Sequence, residues 1–283
     1  MHAVVCIKEV PDTTEVRIDP KTNTLQRQGV PSIINPYDQH ALEEALRLKD
    51  RHGGRVTVVS MGPPQVQGDL KRCIGQGADE AILLSDRLFG GADTLATSYV
   101  LSLAIRKLAQ QHPVDVVFCG KQAIDGDTAQ VGPGVAQRLG MQQLTYVINV
   151  ESVDPGKGLI RVHRHVEGGT AVVEATLPAL LTVVKEINAI RYSSLEDMVR
   201  AATYRVPVWG VDALQADPAR IGLKGSPTLV RRIFAPPARQ GGEVMEGAGA
   251  DPAAAASRVI DFLFARGLRE KVPHLAKGGA KGG

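Results

Sequence analysis

The sequence predicts an α/β protein: a mostly parallel sheet flanked by helices, with an added antiparallel hairpin and an extended C-terminal arm that ends in a helix. Three observations carry this. Through the first half, short runs of Val, Ile and Leu alternate with longer stretches of helical period, the pattern of parallel strands joined by crossover helices. Beyond Gly140 the apolar period shortens to two and is broken by turn residues. From about Asn188 regular signals thin out until one amphipathic stretch near the C-terminus.

Residues 3–7, 56–60, 81–84 and 114–119 are the four strands of the first half, each an apolar run suited to burial on both faces. The first helix follows Asn35-Pro36, an N-cap residue with proline at N1. It carries Leu42, Ala45 and Leu46 at helical spacing and stops at Gly53-Gly54. A second, over residues 66–74, sets Leu70, Cys73 and Ile74 on one side before Gly77. A third opens at Asp93-Thr94 and carries Leu95, Tyr99, Leu103 and Leu108. Right-handed crossovers let all four strands share one sheet.

Residues 144–150, 159–165 and 170–176 alternate in polarity around Asp154-Pro155-Gly156 and Glu167-Gly168-Gly169, and read as antiparallel hairpins. Residues 179–184 read as one more buried strand. After a short helix at 195–202, prolines and glycines run through 218–249, which reads as an arm. Residues 253–266 then form a helix with Val259, Ile260, Leu263 and Phe264 on one face. That face needs a cover, either its own domain or a partner chain, and the long arm favours the partner. The Lys-Gly tail 276–283 reads as disordered.

Composition narrows the function classes. Of 283 residues, 33 are Lys or Arg and 30 Asp or Glu, a net +3 with no basic helix or basic-aromatic strip, so nucleic acid is not an expected partner. Cys6, Cys73 and Cys119 lie far apart with no metal-ligand spacing, which suits a reducing cytosol and predicts no metal site. The apolar run near Met1 ends at Lys8-Glu9, too soon for a signal peptide or a membrane span. A cytoplasmic protein without membrane insertion is the expectation.

In such a sheet, ligands settle beyond the carboxyl ends of the strands. The loop after the fourth strand, Gly120-Lys121-Gln122-Ala123-Ile124-Asp125-Gly126-Asp127-Thr128-Ala129-Gln130-Val131, is rich in polar groups. Asp127 and Gln130 have capping-box spacing, while Gly132-Pro133 offers a second helix start with proline at N1. With either start, amides near residues 126–131 lack a helical partner and suit an anion such as a phosphate. Asp125 and Asp127 would repel it unless their charges are occupied, so both are assigned to positioning rather than acid-base chemistry. An ordinary capped surface helix explains the same residues. No GxxxxGK[ST] and no GxGxxG follows a strand.

The same loop resembles the nucleotide-binding segment of the beta subunit of electron-transfer flavoproteins. Val5-Cys6-Ile7-Lys8 with Val10-Pro11-Asp12, Asn35-Pro36-Tyr37-Asp38, and Ser60-Met61-Gly62-Pro63 are similar to further segments of that family. So is the hairpin over 162–182 with Arg164, Glu167-Gly168-Gly169, Pro178 and Thr182, which departs at Ala171, where an acidic or amide residue is usual. The resemblance covers roughly residues 1–270. It implies a cofactor site made of Cys6, Asn35, Asp38, Met61, Asp93, Thr94, Gly120, Gln122, Asp125, Gly126, Asp127, Thr128, Ala129, Gln130 and Val131.

One branch of the family holds structural AMP there. Another, electron-bifurcating, holds an FAD that takes electrons from NADH. The AMP branch has an acidic residue where Gly126 stands and an asparagine where Ala129 stands, so this chain's DGDTAQVGP resembles the FAD branch. The resemblance further implies an alpha-subunit partner, a dehydrogenase or quinone reductase docking on residues 188–205 around Leu195, and ferredoxin or flavodoxin as a low-potential acceptor. The domains expected are 1–187 for the cofactor, 188–205 for docking, 206–275 as an arm on the alpha subunit, and the tail. Arg164 and Arg191 read either as donors to the cofactor or as ordinary surface arginines. A different class, an ATP-binding stress-type protein, would want a glycine-serine phosphate loop, which is missing.

Overall fold

The computed structural model describes residues 1–12, 31–231 and 251–267. The chain opens with β1 (His2–Ile7), followed by a small antiparallel ribbon of β2 (Glu9–Pro11) and β3 (Ser32–Ile34). There follow α1 (Pro36–His52), β4 (Arg55–Met61), α2 (Gln67–Gly75), β5 (Glu80–Leu84), α3 (Thr94–Gln111), β6 (Val116–Gly120) and α4 (Val131–Leu139). β7 (Gln142–Asp154), β8 (Leu159–Val166) and β9 (Gly169–Thr176) form an antiparallel meander, and β10 (Ala179–Val183) returns into the sheet.

A single nine-stranded sheet collects all but β2 and β3. Beyond β10 the chain continues as α5 (Leu195–Thr203), β11 (Val208–Trp209) and α6 (Val211–Leu214), and the strand order is β11-β5-β4-β1-β6-β10-β7-β8-β9. Every pairing from β11 to β7 is parallel. The nominated strands and helices are therefore present, and the expected hairpins extend the same sheet.

Two cores explain why the central strands are apolar throughout. Ala3, Val5 and Ile7 of β1 face one core with Leu42, Ala45 and Leu46 of α1 and Leu70 and Ile74 of α2. Val4 and Cys6 face the other, with Val100, Ala104 and Ile105 of α3 and Val135 and Ala136 of α4. Removing each large aliphatic side chain from water contributes about 1.5–3 kcal/mol. A strand alternates its side chains between faces, so only a sheet covered on both sides asks for apolar residues at every position.

Two features were not legible. β10 inserts between β6 and β7, ahead of the strands that precede it in sequence. And the stretch expected to leave as an arm at residue 206 first adds β11 to the edge of the sheet beside β5, then buries Leu214, Ala216 and Ile221 in the α3/α4 core. The chain divides into two compact units, Met1–Phe234 and Ala235–Gly283. In the second, α7 (Pro252–Ala265) is capped by Asp251, whose Oδ1 accepts from the Ala254 amide at 3.0 Å, and Val259, Ile260 and Leu263 are exposed. Residues 232–250 of the expected arm and the tail 276–283 lie outside the described residues. No described helix is long and apolar enough to cross a membrane.

Candidate functional site

The carboxyl ends of β1, β4, β5 and β6 deliver four loops to one edge, and the first turn of α1 ties two of them together. Asn35, fully buried, precedes the helix but does not cap it with its side chain. Its Nδ2 donates to the Gln122 carbonyl at 2.9 Å and its Oδ1 accepts from the Ile124 amide at 3.2 Å, which fastens the loop after β6. One turn on, Asp38 Oδ2 accepts from the Lys8 amide at 2.8 Å and Oδ1 from the Gly120 amide at 3.0 Å. A single buried carboxyl thus pins the ends of β1 and β6. Burial pushes its pKa up to about 7, against the opposing pull of Asn35 and the two amides.

Gly120 is dictated by this strut. A Cβ there would lie 2.3 Å from Asp38 Oδ1 and 2.6 Å from Tyr37 Cβ.

The two loop carboxylates are occupied. Lys8 Nζ lies 2.7 and 2.8 Å from the two oxygens of Asp125, across 117 residues of sequence. Asp127 accepts from the Gln122 side-chain amide. The expected capping box is not formed, and Pro133 is not at N1. Asp127 and Ala129 both adopt left-handed backbone with φ 55°, which inserts a turn between Asp127 and the helix. α4 begins at Val131 with Gln130 as its N-cap residue, and the Gln130 Oε1 accepts from Thr94 Oγ1 at 2.8 Å.

What this leaves is a concavity of amides. No side chain caps α4, and the amides of Thr128, Ala129 and Gln130 find no acceptor among the described residues. A left-handed Ala129 followed by a right-handed Gln130 turns successive N–H groups toward one point, and the dipole of α4 adds partial positive charge. With the Asp125 charge offset by Lys8 and Asp127 engaged by the Gln122 amide, the arrangement suits an oxyanion such as a phosphate. A Cβ on Gly126 would meet nothing within 4 Å, so this position leaves open space.

The remaining expected residues lie at the ends of neighbouring strands or in the loops that follow them. Cys6 and Cys119 pair across β1 and β6 and are buried. A hydrogen bond donated to Cys6, together with burial, holds the Cys119 pKa well above the ordinary thiol value, so it stays protonated. Met61 ends β4, half-buried. Asp93 caps α3, accepting from the Leu95 and Ala96 amides at 3.0 Å each, and its second oxygen accepts from Thr228 Oγ1 at 2.7 Å.

Arg191 is committed elsewhere, bound to Glu43 at 2.9 Å and Asp50 at 2.7 Å on α1. Arg164 donates to the Thr145 carbonyl and hydroxyl. Leu195 starts α5 and is 78% exposed, in line with exposed Met198 and Val199. Tyr37 and Lys121 fall within the segments that the resemblance assigns to the site, whereas Lys8 and Tyr146 are not among the expected site residues. Lys121 Nζ lies 5.9 Å from the Tyr37 ring centroid and 5.1 Å from that of Tyr146, whose φ of 58° is left-handed. Tyrosine carries no sequence signal for that conformation.

Residues 22–214 match the model of the electron transfer flavoprotein domain. The chain belongs to this family. It is 52% identical over 270 residues to the protein FixA of Azotobacter vinelandii, covering 93% of this chain and 95% of that one. The electron transfer flavoprotein subunit beta of Clostridium acetobutylicum is 52% identical over 246 residues, 87% of this chain and 92% of the relative. A subunit named CarD, of the caffeyl-CoA reductase-Etf complex of Acetobacterium woodii, is 50% identical over 248 residues, again 87% and 92%. The chain is thus of the electron transfer flavoprotein beta-subunit type, and the stress-protein alternative falls away. The family's cofactor in general, a flavin or nucleotide, fits the strand-end loops: amides for its phosphates, and loop carboxylates held by other partners.

Proposed function

We propose that this chain is the beta subunit of a heterodimeric electron transfer flavoprotein and holds FAD on the loops after β1, β4, β5 and β6. A bound flavin supplies the hydride-accepting and electron-passing chemistry. In this reading electrons come from NADH and leave to the alpha-subunit FAD and to a low-potential acceptor such as ferredoxin or flavodoxin.

The observation that supports FAD is the pair Gly126 and Ala129. Gly126 leaves room beside the amide concavity, and neither residue adds a carboxylate or amide to it. The protein's own work is binding and orientation. The Asn35 and Asp38 struts hold the loop, the amides of residues 128–132 receive phosphate oxygens, and Lys8 keeps Asp125 from repelling them. No residue is assigned as a catalytic acid or base. Leu195, with Met198 and Val199, forms the apolar patch on which a dehydrogenase or quinone reductase docks.

The second reading is structural AMP in the same site. Quantifying the cofactors released from the purified two-subunit complex separates the readings. Two FAD per pair supports the proposal, and one FAD with one AMP sinks it.

A further inference from the structure

Away from the strand-end loops, three guanidinium groups converge without a counter-charge among the described residues. Arg106 of α3, Arg138 of α4 and Arg220 in the segment after α6 line one open cavity of about 280 Å³ with Tyr99 and Ser102. None of the three forms an ion pair among the described residues. Uncompensated clustering of this kind costs stability through mutual repulsion unless an anion joins it.

Arg106 and Arg220 are exposed and Arg138 is half-buried, and contacts within the fold orient all three. Arg138 Nε donates to Ser98 Oγ at 3.1 Å and its Nη2 to the Leu95 carbonyl at 3.1 Å, while Arg106 Nη2 donates to the Arg138 carbonyl. Arg220 lies 4.1 Å from the centroid of the buried Tyr99 ring, with Arg138 at 5.6 Å from the same ring. The Tyr99 hydroxyl accepts from the Asp217 amide at 3.2 Å, which fixes the segment carrying Arg220. Burial, then the charges of Arg220 and Arg106, lower the Arg138 pKa.

We infer that this cavity is a second anion site, separate from the cofactor loops, that takes a phosphate or diphosphate group. Three facts select that ligand. The volume accepts a group of that size but not a dinucleotide, since one water occupies about 30 Å³ of liquid. The guanidiniums approach from three elements, which matches the tetrahedral oxygens of phosphate, whereas a planar carboxylate is satisfied by one guanidinium fork. Every guanidinium also keeps unused N–H donors, five being available on each arginine.

Arg138 lies seven residues along α4 from Val131, about 10 Å at the helical rise, so one short helix spans the amide concavity and the arginine cluster.

The test is calorimetric titration of the purified two-subunit complex, its cofactors in place, with inorganic pyrophosphate and then inorganic phosphate. One saturable site is expected, with affinity reduced at least tenfold in Arg220→Gln and in Arg138→Gln and cofactor content unchanged in both. Arg220→Gln guards against misfolding, because that side chain makes no hydrogen bond among the described residues and loses only its stacking on Tyr99. Absence of saturable binding to the unmodified complex overturns the inference, as does unchanged binding in both variants. Loss of cofactor together with pyrophosphate binding would make the arginines part of the cofactor site. Failure of the variants to hold the alpha subunit, with no pyrophosphate binding by the parent complex, would make the cluster a protein interface.

Discussion

Gly120→Ala probes the strut that builds the site. The added Cβ would stand 2.3 Å from Asp38 Oδ1, 2.6 Å from Tyr37 Cβ and 2.8 Å from the Tyr37 carbonyl carbon, where ordinary contacts begin at 3.4 Å. Two of those atoms belong to the backbone or root of the first turn of α1, so rotating a flexible side chain cannot relieve the clash. α1 and the end of β6 must separate by about 1 Å in a close-packed interior. Overpacking of this kind costs about 1–3 kcal/mol. Breaking the 3.0 Å bond from the Gly120 amide to a buried carboxyl adds about 1.5–3 kcal/mol. The sum is roughly 2.5–6 kcal/mol, equivalent to a fall of about 5–24 °C in Tm for a domain of this size. Asn35 sits in the same turn and holds Gln122 and Ile124, so cofactor content should fall as well. Scanning calorimetry and chromatographic cofactor quantification on the same sample read both effects. In an Asp38→Ala background the alanine at 120 should cost about 1 kcal/mol less, the two sites being in contact. A Tm within about 2 °C of the parent with full cofactor content would refute the strut.

Lys8→Met should leave stability within about 1 kcal/mol, because the Lys8 side chain is half exposed, yet lower cofactor occupancy by freeing the Asp125 charge beside the amide concavity. Unchanged occupancy after extensive dialysis would contradict this role. Two buried groups shape the pH dependence in opposite directions. Asp38 rises from 3.8 to about 7 on folding, so its contribution is full below pH 3.8 and is lost as pH climbs through 7. His2, buried against Thr57, is lowered below 6.5, so its contribution is present above pH 6.5 and is lost on acidification. Urea midpoints at pH 5, 6.5 and 8 should therefore show less alkaline loss in Asp38→Asn and less acid loss in His2→Gln, and curves parallel to the parent would count against both assignments. Leu195→Asp should leave Tm and cofactor content alone, since the residue is 78% exposed, while slowing electron transfer to a dehydrogenase partner at least tenfold in stopped-flow measurements. A rate equal to the parent would remove Leu195 from the docking surface.

The elements whose cause is local are legible along the chain. Apolar runs in β1, β4, β5 and β6, the Asn35-Pro36 start of α1 and the Asp93 cap of α3 each depend on residues within a few positions of one another. The place of the loop after β6 at the ligand edge is legible too, because crossover handedness leaves parallel strands only one such edge. The helix start was misread for the same reason it was attempted. Asp127 and Gln130 have the spacing of a cap, but Asp127 itself and Ala129 after it are both left-handed, and alanine does not announce that conformation. Tertiary structure alone decided which partner each charge takes. Lys8 meets Asp125 across 117 positions, Asp38 meets Gly120 across 82, and Arg191 is drawn to Glu43 across 148. β10 inserts beside β6, and Arg106, Arg138 and Arg220 converge from three separate elements. Such pairings are set by the packing of the whole sheet, a distance that no window along the chain can see.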